Sequence, residues 1–199
     1  MSVGGSGSPA ILRQNPFAKR DLKKTSWIFL SLATLALGSA SVFALRQAPP
    51  QVKPSPEHAI VQKMAGTWDA VVDMGGMKSK AVQVLKPVGD LWVAGSWEGD
   101  MMGQPFTGHM INGYSPEKKK FVGVWVDSTG AELSHSESTY DAATKTMTGK
   151  IVGWMDGQET TMTEVTTYRD DDHYTTKMSM VLPDGSAMPI MTFEVSRRK

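Results

Sequence analysis

The chain has 199 residues, a formal net charge of +1 and no cysteine, but 14 methionines and 6 tryptophans. The missing cysteine excludes a disulfide framework, thiolate catalysis and any cysteine-held metal site. Residues 1–44 hold five basic side chains and one acidic, so the remainder carries 16 basic against 19 acidic, a net of −3, and this mildly acidic, evenly mixed surface offers no electrostatic footprint for nucleic acid.

Residues 1–26 read as a polar leader with GGSGSP near its start and basic residues at Lys19, Arg20, Lys23 and Lys24. An apolar run, WIFLSLATLALGSASVFAL, follows from residue 27. A basic flank, a modest apolar centre and small residues ending in Ala44 make residues 27–44 a signal peptide. The competing reading is an uncleaved membrane anchor, because the run is just long enough to cross about 30 Å of hydrocarbon. Either outcome exports the rest, to the periplasm or beyond. Membrane contact is then confined to residues 27–44, and only if they are retained. Residues 45–54 form a Pro-rich linker, and the folded domain occupies 55–199.

That domain opens with SPEHAIVQKMAG. Ser55 suits a helix cap, Pro56 the first helical position and Glu57 the positive end, while Ile60, Val61, Met64 and Ala65 share one face and Gly66 stops the helix. Beyond it the spacing changes to β-branched and aromatic runs broken by Gly, Asp, Pro and Ser. Ten strands are predicted at about 67–74, 79–86, 91–98, 105–114, 120–127, 134–141, 146–154, 159–169, 173–182 and 187–196. Short turns make neighbours antiparallel, and closure into an up-and-down barrel removes the two edges an open sheet would expose. Gly-x-Trp recurs at Gly66–Trp68, Gly95–Trp97 and Gly123–Trp125. Each glycine is expected to leave a gap its own tryptophan covers, while Gly95, Gly123 and Gly153 let the sheet bend.

Several stretches together resemble one family: PEH at 56–58, AGTWD at 65–69, GSWEG at 95–99, GHMINGYSPEKKKFVGVWVDS at 108–128, and Tyr140-Asp141 with a later Thr-Gly. The chain resembles domain of unknown function 1579, an exported bacterial family of lipocalin-like shape, over residues 56–196. That resemblance implies an all-β, antiparallel, lipocalin- or calycin-like barrel of about ten strands with one short capping helix, and no particular activity. A looser similarity to lipocalins and fatty-acid-binding proteins implies that Trp68 closes the barrel against a basic residue of the last strand, Arg197 or its neighbour Arg198, with the helix plugging that mouth.

The side chains point to binding rather than catalysis. No Gly-x-Ser-x-Gly elbow and no metal-binding histidine pair occurs among His58, His109, His135 and His173, so neither a catalytic residue nor a metal is assigned. Asp170, Asp171 and Asp172 lack the ligand spacing of a calcium loop and read as a solvated hairpin tip. The methionines could hold Cu(I), but their spread over many strands favours an adaptable apolar lining. Trp92, Trp97, Tyr114, Phe121, Trp125 and Met178 are the candidate ligand-binding residues, and the Thr-rich ETTMTEVTTYRD suggests that one barrel face is polar. The expectation is an exported, non-enzymatic barrel binding a small apolar or amphipathic molecule, with no resident cofactor. Two alternatives stand beside it: a haem protein or histidine-dependent enzyme using His109 or His173 in the same cavity, and a structural envelope protein with a filled barrel.

Overall fold

The computed structural model describes residues 52–155 and 157–199. The leader, the 27–44 segment and most of the linker lie outside the described residues. Among the described residues no helix is long and apolar enough to cross a membrane.

Helix α1 spans Pro56–Lys63. Ser55 precedes it in an extended conformation, Pro56 occupies its first turn and Glu57 complements its positive end. A histidine completes the cap: the Ser55 backbone N–H donates to His58 Nδ1 at 2.9 Å, the role a glutamate usually fills at the third helical position. His58 and Val61 are thereby sealed beneath the helix. Helical bonding stops at Met64, whose carbonyl accepts Trp68 Nε1–H at 2.9 Å. Gly66 then turns the chain away at φ 142°, a value that side chains resist.

Ten strands follow: β1 Gly66–Met74, β2 Met77–Val88, β3 Trp92–Met101, β4 Gln104–Ser115, β5 Lys120–Asp127, β6 Ser134–Asp141, β7 Thr146–Met155, β8 Gln158–Asp170, β9 His173–Val181 and β10 Ala187–Arg197. Each pairs antiparallel with the next, and β10 returns to β1 from Trp68↔Arg197 to Asp73↔Thr192. The chain therefore forms the closed, ten-stranded, up-and-down barrel with one short helix that its pattern of turns predicts. Among the described residues every strand has a neighbour on both sides, so the sheet has no free edge strand.

Side chains alternate across each strand, so one parity faces the lumen. Trp68, Ala70 and Val72 of β1 stand opposite Gln83, Ala81 and Ser79 of β2 on one side and Arg197, Val195 and Phe193 of β10 on the other. The packed core fills this side of the barrel, with Trp68, Ala70, Val72, Ala81, Trp97, Phe106 and Val195 in one cluster. A second cluster, Val61, Val93 and Phe121, joins α1 to the barrel end. Burying an aliphatic or aromatic side chain of this kind contributes about 1.5–3 kcal/mol, so the two clusters are what fix the helix and the closing strands.

The glycines act differently from the Gly-x-Trp expectation. Covering takes place across strands: a Cβ at Gly108 of β4 would lie 2.2 Å from the Trp125 ring, and one at Gly113 would lie 2.2 Å from Trp92. Gly95 is required for a different reason, since its Cβ would fall 1.7 Å from the Val84 carbonyl oxygen of β2. Two strands approach there too closely for any side chain.

Candidate functional site

The closed end is built around Arg197. Its guanidinium carbon lies 3.9 Å from the Trp68 ring centroid. Nη1 donates to the Ala65 carbonyl at 2.7 Å, Nη2 to the Lys63 carbonyl at 2.8 Å, and Nε pairs with Asp172 Oδ1 at 3.0 Å. One cation thus covers the tryptophan, satisfies carbonyls the helix end leaves free and is neutralised by the β8–β9 turn. Arg198, of opposite parity, pairs instead with Asp69 on the outside. The three aspartates are therefore not merely a solvated tip, because Asp172 holds Arg197 and Asp171 pairs with Lys63 at 3.1 Å.

The lumen has two unlike sides. Inward residues of β1, β2 and β10 such as Trp68, Ala70, Leu85 and Val195 are 3–4% exposed. Most inward residues of β6 to β9 are only half-buried, among them Ser136, Ser138, Ile151, Met162, Glu164, Met178 and Met180, although Thr166 and Thr176 between them are buried. The lumen is therefore tightly packed along β1 and β2 and more loosely packed along β6 to β9. At the end away from α1 the register gathers methionines that are far apart in sequence: Met162 opposes Met180, Met180 opposes Met188, and Met178 opposes Met191. Met74 of β1 and Met101 of β3 pack on the core cluster.

Polar groups occur on the loosely packed side in a short chain. Thr166 Oγ1 lies 2.7 Å from Thr176 Oγ1 and donates to Glu164 Oε1 at 3.3 Å. Burial pushes the Glu164 carboxyl above its ordinary range, and the Thr166 hydroxyl offsets this only partly. Glu164 as a whole residue is half-buried. Below it, Tyr168 and Tyr174 sit 5.6 Å apart, and burial, reinforced by nearby negative charge, raises both phenols. Tyr174 donates to Gln83 Oε1 at 3.0 Å, which joins the polar chain to the packed side.

The residues singled out from the sequence separate into three places. Trp97, Trp125 and Met178 face the lumen, with Trp97 edge-on to Phe193 at 5.6 Å and Trp125 stacked on Phe106 at 6.2 Å. Tyr114 and Phe121 point inward but lie at the floor, where Phe121 packs with Val61 and Tyr114 meets His58 edge-on at 5.6 Å; helix α1 covers them. Trp92 faces outward and lies over Gly113. Neither proposed haem ligand lines the cavity. His109 pairs with Ser96 on the outer parity and borders a shallow outer groove of about 530 Å³ lined also by Val84, Val88 and Ile111. His173, also outward, has Nδ1 2.7 Å from Asp170 Oδ1. The histidine-dependent reading therefore lacks a histidine at either expected position. Among the described residues no group of three or more His, Asp or Glu is placed to hold a metal ion.

Two inward carboxylates went unnoticed in the sequence. Glu164 lies inside the Thr-rich run whose polarity was visible, but its register was not. Asp127, at the end of β5, accepts Trp125 Nε1–H at 2.7 Å and Thr129 Oγ1–H at 2.6 Å. Burial raises its carboxyl, but these hydrogen bonds outweigh burial and leave it below the usual range, hence ionised.

A closed, up-and-down antiparallel barrel with a helix at one end has the architecture of the lipocalin-like folds. The family described as Protein of unknown function (DUF1579) matches residues 53–197, and the chain belongs to it. No curated protein is significantly similar to the chain. Among solved structures, Rv2717c from M. tuberculosis is 11% identical with a TM-score of 0.55, covering 74% of this chain and 100% of that one. An S-type phycobiliprotein lyase, CPES, from Guillardia theta is 11% identical with a TM-score of 0.46, covering 72% and 93%. At 11% identity the likeness to Rv2717c concerns the fold alone.

Proposed function

We propose that this protein is a binding barrel for a small apolar or amphipathic molecule, held in the loosely packed side of the lumen between the β6–β9 wall and the inward faces of Trp97 and Trp125. The partial exposure of most inward side chains on β6 to β9, Thr166 and Thr176 apart, carries this reading: a filled structural barrel would seal them as it seals Trp68, Ala70, Ala81 and Leu85 on β1 and β2. The methionines at the far end supply a flexible, polarizable lining that can repack around different shapes. A few polar groups within an apolar wall are the usual composition of a small-molecule pocket.

The neutral fluorophore N-phenyl-1-naphthylamine tests this directly. Trp97 and Trp125 face the lumen, so a lodged probe will quench their emission, brighten as it leaves water, and be displaced by long-chain alcohols. A probe that stays dark at every protein concentration contradicts the reading. The leader is proposed to direct export, which N-terminal sequencing of the mature protein checks: Leu45 as first residue supports removal of residues 27–44, and retention of Trp27 contradicts it.

A further inference from the structure

We infer that Glu164 receives a positively charged head group, so that the ligand is an amphipathic amine or quaternary ammonium; this deepens the lumen-binding reading and rests on it. On β8 the carboxyl is flanked by Gly149 of β7 and Met178 of β9. Gly149 brings no side chain of its own to that flank, and the Ser138 hydroxyl occupies the space beside it, 2.3 Å from where a Cβ would stand. Among the described residues its single hydrogen bond comes from Thr166, and no salt bridge reaches it.

The groups that face it explain the choice of charge. The inward positions of β7 and β9 offer Met147, Ile151, Thr176, Met178 and Met180, none of them charged, and β8 adds Met162, Thr166 and Tyr168. The titratable neighbours are the phenols of Tyr140, Tyr168 and Tyr174. Asp127 adds a second inward carboxylate on β5, and His58 is sealed at the floor under α1. Among the described residues the one inward cation of the strands, Arg197, is already committed to Trp68, the Lys63 and Ala65 carbonyls and Asp172. An anionic head such as a fatty carboxylate finds no free cation and meets two carboxyl groups, Glu164 and Asp127. A cation finds an unpaired carboxylate, and the tyrosine faces and thioethers beside it suit alkylammonium groups. A lone buried carboxylate is costly when ionised and gains most from a partner that brings the missing charge.

The test compares three chains of equal length, dodecyltrimethylammonium, dodecanol and dodecanoate, below their micellar concentrations, by displacement of the same neutral probe from the full-length protein. At about pH 8 the fixed cation is expected to bind at least about tenfold more tightly than dodecanoate. Its affinity should fall as the pH is lowered to about 5, because Glu164 must be deprotonated to pair with it. Glu164→Gln should lose about tenfold in cation affinity and the pH dependence with it, while the neutral probe still lodges and brightens, which shows that the barrel is intact. Dodecanol binding with no preference for the cation, or a cation affinity indifferent to Glu164→Gln, overturns the inference and leaves the lumen reading standing. Binding of none of the three overturns both.

Discussion

At the scale of single residues, Arg197 joins more of the molecule than any other side chain described above. Arg197→Ala removes a ring contact and three charged hydrogen bonds at once, and is expected to lower stability by about 2–3 kcal/mol in urea unfolding. Arg197→Lys should recover less than half, since an ammonium cannot reach two carbonyls and a carboxylate in one plane. A loss no larger than that of an exposed arginine would contradict the closing role. Glu137 provides a pH test. Hydrogen bonds from Lys118 and Lys120 hold its carboxyl at about 2, against 4.5 for an unpaired glutamate. A depressed carboxyl stabilises the fold above its unfolded value and stops doing so as pH falls through its folded one. The margin of the native chain over Glu137→Gln should therefore be complete above about pH 5 and vanish toward pH 2, read from urea midpoints. The Trp68 partner was legible as one of two arginines, and strand parity decides between them. The partners of Asp171 and Asp172 were not legible, because they come from α1 and β10, far along the chain.

At the scale of elements, the strands were readable because Gly, Asp, Pro and Ser mark nearly every turn, and predicted ends differ from observed ends by at most three residues. The facing of each strand was less well read, although part of it was available. Trp92 and Trp97 are five positions apart on one strand, an odd spacing that places them on opposite faces; only Trp97 could line the lumen. Which glycines face a neighbouring backbone is a matter of register, which local sequence does not specify. Gly95 is the clearest case. Gly95→Ala must push β3 away from the Val84 carbonyl and is expected to cost more than about 3 kcal/mol or to prevent folding. Gly130→Ala, with open space around it, should change stability by less than about 1 kcal/mol. Equal effects on the urea midpoint would show that the tight β2–β3 approach is not fixed.

At the scale of the whole molecule, the barrel turns a scattered composition into a local environment. Methionines spread over many strands read as diffuse in one dimension, and closure sets Met162, Met178, Met180, Met188 and Met191 side by side on three neighbouring strands. The outer wall carries Lys80, Glu98, Lys150, Lys177 and Glu194 within strands, charges that would be costly against hydrocarbon. The apolar opportunity is therefore greatest inside. A crystal structure grown with dodecanol would test the lumen most directly. Continuous density inside the barrel, against Met178 and between Trp97 and the β6–β9 wall, is the predicted result; an empty lumen, or density confined to the outer groove beside His109, would contradict it.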